Sequence, residues 1–289
     1  MKRIMRIIKK CWSFFLVHIL NLEIKRTRNF NGVSLTINGL ENGGKAYFGN
    51  NSYREAINSF YSLIQRLYEP EVVLDIGANY GFLSCIYASV FKSAEVIAVE
   101  PSKKLCKYIH LNRKNNSSNI SVYRAICDKR EGDIKDFSIN PLNSQDNRVK
   151  GESIFWFKEK VFTISIDSIL REKKPFNFVF IKIDTQGYEK SIFWGAEEYL
   201  LSHSNWLIKA EYAPYCLKSQ GTNPKMFLEY LVNNFDVIDF NNVAFKEDSI
   251  NSLFKNKLDY EDVDSFIHHI INRDNKELGW TDLLIKSKQ

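Results

Sequence analysis

Short apolar runs of strand length recur through the middle of the chain, each followed by a turn and then by residues with helical three- and four-residue spacing. The first run, Val72-Val73-Leu74-Asp75-Ile76, enters the small-residue turn Gly77-Ala78-Asn79-Tyr80-Gly81, and Phe82 to Ala88 then has the apolar content of a packed helix. A second run, Glu95-Val96-Ile97-Ala98-Val99, ends at Glu100; a helix around Leu105 to Asn112 and a third run, Ile120 to Ala125, follow. The fourth and fifth are Phe178 to Ile183 and Trp206 to Glu211. Strands alternating with helices predict an α/β fold with a mostly parallel central sheet and helices on both faces. Asp236 to Phe240 and Thr281 to Ile285 read as the last two strands, an antiparallel edge.

The segments around this core read differently. Residues 1–30 predict a basic amphipathic helix, and residues 31–69 a leading piece made of a hairpin within Gly32 to Gly49 and a helix from about Ser52 to Leu67. Such pieces either cover a cofactor cleft or simply pack. Residues 70–289 form the main domain, with an insertion at about 241–279 that carries no legible chemistry. The polar stretch Gly132 to Lys160 is expected as a loop or ribbon at the cleft rim, where specificity commonly resides.

Charge changes the picture only at the N-terminus. Of the formal net charge of +6, residues 1–30 carry a local balance of +7, so the remaining chain is nearly neutral. A nucleic-acid enzyme places positive charge around its cleft, so no nucleic-acid partner is expected. Ile4, Ile7, Ile8, Cys11, Trp12, Phe15 and Ile19 fall on one helical face, with Arg3, Arg6 and Lys10 on the other. The apolar stretch falls short of the roughly 20 residues of a bilayer crossing. Residues 1–22 therefore either lie on an anionic inner leaflet or dock on their own domain or a partner subunit. Five scattered cysteines without a C-x-x-C pair read as reduced residues of a cytoplasmic protein, with no zinc site.

The chemistry sits at the strand ends. Asp75-x-Gly77-x-x-x-Gly81 lets the backbone bend sharply and approach a ligand, and Glu100, 19 residues past Gly81, can accept hydrogen bonds from both ribose hydroxyls. The turn lacks the middle glycine of G-x-G-x-x-G, and the chain has no P-loop, so no diphosphate cradle is present. A ligand with a ribose and no phosphates fits better, and S-adenosylmethionine is the common one. Ligands of open parallel sheets bind at the carboxyl ends of strands, which puts Ala125, Ile126 and Asp128 beside the base. Lys182 and Asp184 end the fourth strand, Glu189 follows the turn at Gly187, and Glu211 ends the fifth strand at the same edge. Those acids serve either a catalytic or ligand role, or merely cap the helices that follow.

The blocks LDIGANYG, AVEPS, SIDSIL and IKIDTQGYEKSIFWGA, in this order over about residues 70–212, resemble the FkbM-type family of S-adenosylmethionine-dependent methyltransferases. The resemblance implies a Rossmann-like class I methyltransferase fold and methyl transfer, usually to a hydroxyl oxygen, with frequent work on sugars, glycans or natural products. It places cofactor binding on Asp75, Gly77, Ala78, Asn79, Gly81 and Glu100, and a fourth-strand site on Lys182, Asp184 and Glu189. One departure matters: the family often carries glutamate two residues after that aspartate, where this chain has Gln186.

The expected reaction is O-methylation of a sugar or glycan acceptor, with Asp184 as proton acceptor, Glu211 as the alternate base and Lys182 orienting the carboxylate or the acceptor. No metal site is assigned, because oxygen-ligand sites are not legible from the spacing of Asp184, Glu189 and Glu211. Two competitors remain. Asp262-Val263-Asp264 is a D-x-D of the kind a metal-dependent glycosyltransferase uses, though at the start of a helix the two acids face apart. A non-catalytic nucleoside-binding module docked on a membrane complex is the other.

Overall fold

The computed structural model describes residues 22–49, 51–151, 153, 156–171, 176–240 and 250–288. The chain begins there with a hairpin, β1 (Lys25–Phe30) and β2 (Val33–Asn38), paired antiparallel with Phe30 opposite Val33. Asn31 and Gly32 both have positive φ, 49° and 89°. That pair is the two-residue turn whose twist matches antiparallel strands, and it sets the register. This corrects two expectations. The stretch grouped with the basic helix is strand from Lys25 onward, and Asn42–Ala46, placed within a hairpin by its Gly-Gly pair, is a short helix capped by Glu41. Residues 1–21, the greater part of the expected helix, lie outside the described residues. Among the described residues no helix is long and apolar enough to cross a membrane.

The outer edge of β2 is closed by side chains rather than by another strand. Asn112 on the helix Lys103–Asn115 and Asn116, which caps its C-terminus, each pair with one β2 residue through both side-chain amide groups: Thr36 N donates to Asn112 Oδ1 and Ser34 N to Asn116 Oδ1, both at 2.7 Å. The return bonds run from Asn112 Nδ2 to Thr36 O and from Asn116 Nδ2 to Ser34 O. Strand-edge groups that would otherwise solicit another chain are thereby used internally.

The core strands follow in order: β3 (Val72–Ile76), β4 (Glu95–Val99), β5 (Ile120–Tyr123), then the small β6 (Ile126–Cys127), β7 (Ile134–Ile139) and β8 (Phe157–Ile164), then β9 (Val179–Ile183), β10 (Trp206–Tyr212), β11 (Phe235–Asp239) and β12 (Thr281–Ser287). Seven of them form one sheet in the order β11-β12-β10-β9-β3-β4-β5, parallel except for β12, which runs antiparallel to both β10 and β11. From β3 the chain winds outward through β4 and β5, then returns to lay β9 on the other side of β3. The crevice at the carboxyl ends of β3 and β9 is thus a point where strand order reverses, the place where open α/β sheets bind ligands. β7 and β8 make the expected ribbon, with β6 added parallel to β8.

Both sheet faces are buried, so the strands read as continuous apolar runs. Val72, Leu74 and Ile76 point into one core with Ile192, Phe193, Leu228 and Ile270, while Val73 and Phe180 point into the other with Leu35, Phe60, Tyr87 and Ile109. The described part of the expected insertion contributes to the first core through Val263, Phe266 and Ile270 on the helix Val263–Ile271; residues 241–249 lie outside the described residues. Phe180 is fully buried in an aromatic cluster, its ring 5.7 Å from Tyr87, 5.8 Å from Tyr61 and 6.2 Å from both Phe60 and Phe91. Phe180→Ala is expected to destabilise the fold by about 3–5 kcal/mol. Urea denaturation checks it; a loss below about 1 kcal/mol would mean that this face repacks freely.

Candidate functional site

At the carboxyl edge of the sheet the turns after β3, β4, β5, β9 and β10 surround a cavity of about 620 Å³. That volume lies within the range of small-molecule and cofactor sites. One half of the wall is the turn after β3. Gly77, with φ of 77°, runs so close to the turn after β9 that a Cβ there would lie 2.0 Å from Asp184 O. Gly77 N and Ala78 N both donate to Val99 O, which docks the same turn on β4. Asn79 holds a left-handed φ of 52°, and its N–H donates to Glu100 Oε2 at 2.9 Å while Ser102 N donates to Glu100 Oε1. Burial raises the Glu100 carboxyl to about 7, against the lowering effect of those two N–H groups.

Lys182 joins the halves. Its ammonium donates to Gly77 O at 3.0 Å and lies 3.3 Å from Asp75 Oδ1 and 3.7 Å from Asp184 Oδ2. Burial alone would push the lysine down, but the attraction of Asp75 and Asp184 carries it above its ordinary value. Asp75 is fully buried and accepts a bond from Ser84 Oγ at 2.5 Å. It therefore supports the floor of the site rather than lining it.

The other half of the wall carries the acids. The Asp184 side chain is 44% exposed, whereas Glu211 is partly buried. Gln186, with φ of 57°, bridges them: its Nε2 donates to Glu211 Oε2 at 3.1 Å and to Asp184 Oδ1 at 3.3 Å. Burial pushes the Glu211 carboxyl well above the usual range, and the nearby acids Asp184, Glu189 and Asp282 push the same way. Lys209 pairs with Asp282, the residue opposite Glu211 in the β10–β12 register.

Most of the residues expected at the site meet there. Gly77, Ala78, Asn79, Glu100, Ala125, Lys182, Asp184 and Glu211 all line the cavity. Three do not. Asp128 turns away, buried against Lys135 on β7 in a close ion pair. Gly81 begins the helix Phe82–Val90 with φ of 74°, where a Cβ would lie 3.1 Å from Ile109. Glu189 folds back on its own turn and accepts from Thr185 N, Thr185 Oγ1 and Gly187 N. It shapes the turn that carries Asp184 and lies outside the cavity wall.

The wall also includes Asn143 to Val149 from the ribbon, and Tyr215, Leu278 and Trp280 at the mouth. The ribbon's polar composition had marked it as the rim; Trp280 sits at the end of a segment without pattern. The D-x-D acids are engaged elsewhere: Asp262 accepts from Asp259 N, and Asp264 pairs with Lys225 at 2.6 Å, neither lining the cavity. Among the described residues no group of three or more His, Cys, Asp or Glu is placed to hold a metal ion.

S-adenosylmethionine can be tested against these residues. Glu100 is a buried acid at the end of β4 whose two oxygens keep further acceptor capacity for a ribose diol. The close backbone approach at Gly77 and the surplus of acid over base in the wall suit a ligand that is cationic at sulfur and lacks phosphates. The residues fit the group.

The family described as the methyltransferase FkbM domain matches residues 75–239, more than half of the chain. No curated protein matches. Solved structures with a similar chain path include the plantazolicin methyltransferase BamL in complex with a triazolic desmethylPZN analog and SAH, at TM-score 0.44 and 14% identity, covering 84% of this chain and 88% of that one. The precorrin-6y C5,15-methyltransferase of Geobacter metallireducens GS-15 is similar at TM-score 0.38 and 16% identity, over 63% of this chain and 73% of that one. The ribosomal protein L11 methylase of Lactobacillus delbrueckii subsp. bulgaricus is similar at 0.41 and 10%, over 83% and 81%. At these scores they add nothing to what the strand order establishes.

The buried acids fix a pH dependence. A carboxyl raised in the folded state binds its proton more tightly there than in the unfolded chain, so its stabilisation is full below about 4.5 and is lost as pH rises toward the folded value. Glu211→Gln removes this loss and keeps an oxygen for Gln186. The variant is expected to exceed the parent in stability at pH 8 and by less at pH 5, read by denaturant titration at both values. A pH-independent difference would contradict the placement of Glu211.

Proposed function

Because the chain belongs to the FkbM methyltransferase family, whose methyl donor is S-adenosylmethionine, we propose that it O-methylates a hydroxyl of a sugar or glycan, with Asp184 as the proton acceptor. The observation that carries this reading is the pairing of the half-exposed Asp184 with Lys182 in the wall of the cavity that Glu100 also lines. Glu211 stands beside it, and burial and its acidic neighbours raise its carboxyl well above the usual carboxylate range. That leaves Asp184, next to a fixed ammonium, as the acid suited to take a proton.

Bound S-adenosylmethionine supplies a methyl carbon already activated by its sulfonium. The protein's work is then to place the acceptor oxygen in line and to receive its proton. Transfer to the acceptor oxygen would leave the carbon–sulfur electron pair on sulfur, and Asp184 would receive the hydroxyl proton. Lys182 fixes the direction of that carboxylate by holding Gly77 O and Asp184 from one nitrogen. Gln186 spans Asp184 and Glu211, which keeps the two acids apart.

A polyhydroxy acceptor is supported by the composition of the wall away from Glu100. Asn147, Arg148 and Gln186 offer hydrogen-bonding groups, and the half-exposed Tyr215 and Trp280 offer ring faces at the mouth. Such a mixture suits a ring with hydroxyls at its rim and C–H faces above and below.

Transfer of labelled methyl from S-adenosylmethionine to a panel of mono- and oligosaccharides tests the proposal. Asp184→Asn is expected to lower turnover by about 10²- to 10⁴-fold with S-adenosylhomocysteine affinity unchanged. Undiminished turnover would reject Asp184 as the base, and a panel without any methylated sugar would reject the acceptor class.

A further inference from the structure

We propose that Glu41, outside the matched family segment, is a positioning residue of the cofactor site: it clasps the rim segment 142–147 onto the glycine turn and so sets cofactor affinity. The role rests on the reading of the cavity as an S-adenosylmethionine site.

Glu41 is 6% exposed, and its carboxylate accepts four hydrogen bonds. Two come from its own turn, Gly43 N at 2.7 Å to Oε1 and Gly44 N at 2.9 Å to Oε2. The other two come from elsewhere in the chain: Ser144 N donates to Oε1 in a short contact, and the Tyr80 hydroxyl donates to Oε2 at 2.8 Å. Asn42 N adds a second rung to the rim by donating to Leu142 O at 3.0 Å. The two segments pack closely here: a Cβ on Gly43 would lie 2.6 Å from both Glu41 Oε1 and Ser144 Oγ.

Ser144 passes the connection inward. Its carbonyl accepts from Asn79 Nδ2 and its hydroxyl donates to Asn79 Oδ1, both at 3.3 Å. Asn79 N in turn donates to Glu100 Oε2. A continuous line of hydrogen bonds therefore runs from Glu41 through Ser144 and Asn79 to the acid that faces the ribose. Asn79 is held at a left-handed φ of 52°, a conformation that persists only where its surroundings enforce it. A buried carboxylate that meets four donors is a rigid joint, and removing its charge leaves buried N–H groups stranded.

Calorimetric titration of the full chain with S-adenosylhomocysteine, combined with amide hydrogen exchange over residues 142–147, tests this role. Glu41→Gln keeps the size of the side chain but sets an amide NH2 against a backbone N–H. It is expected to raise Kd about tenfold and to speed exchange over 142–147. Tyr80→Phe, which removes one bond of the four and leaves the fold's packing intact, is expected to raise Kd about two- to threefold. A solely structural role predicts a lower melting temperature with wild-type Kd and wild-type exchange in the folded variants, and that result overturns the clasp. If Glu41→Gln does not fold, Tyr80→Phe decides alone by the same criteria. Wild-type protein that binds no S-adenosylhomocysteine would instead overturn the reading of the cavity, and this role with it.

Discussion

One ammonium group ties the site together. Lys182 Nζ sits in the cavity wall and touches the two segments that meet at the reversal of strand order: Asp75 of β3 with Gly77 O just after it, and Asp184 after β9. Lys182 and Asp75 are paired in register on adjacent strands, so the contact follows directly from placing β9 beside β3. Without that cation, the fully buried Asp75 would keep only the Ser84 hydroxyl against its charge. The crossover that returns the chain from β5 to β9 is therefore also what assembles the chemistry, because it brings the lysine to the glycine turn.

The acids around that lysine are arranged at a cost to the apoprotein. Glu100 is raised to about 7 and Glu211 well above the ordinary range, in both cases first by burial. Asn79 and Gln186, one on each turn, hold left-handed backbone conformations that non-glycine residues rarely adopt. Each of the two turns that face the cavity thus combines a left-handed residue with a carboxyl raised by burial nearby. A ligand that carries positive charge into this wall, as a sulfonium does, offsets part of that cost on binding.

The sequence made the sheet and its ligand edge legible because both depend on local pattern. Val72 to Gly81 shows a buried strand and a turn that needs small residues, and Glu100 and Asp184 follow as strand-end acids. What was not legible depended on which partner claims a side chain once the turns are folded. Asp128 lies beyond a strand end like the others, but Lys135 draws it into the ribbon. Glu189 resembles a ligand acid in spacing, and the N–H groups of its own turn claim it. The clasp at Glu41 joins residues about a hundred positions apart, and nothing in the local run Leu40-Glu41-Asn42-Gly43-Gly44 distinguishes it from an ordinary turn. The exposed, charged β1 shows no apolar alternation to mark a strand; only its Asn31-Gly32 turn identifies the hairpin.

The central claim is that the crevice between β3 and β9 holds S-adenosylmethionine through Glu100 and the glycine turn. Parallel calorimetric titrations of the unmodified protein with S-adenosylhomocysteine, NAD and a nucleotide sugar test it most directly. Saturable binding of S-adenosylhomocysteine at one site per chain, with no heat from the other two, is the predicted result. Binding of NAD or the nucleotide sugar with no response to S-adenosylhomocysteine would contradict the account.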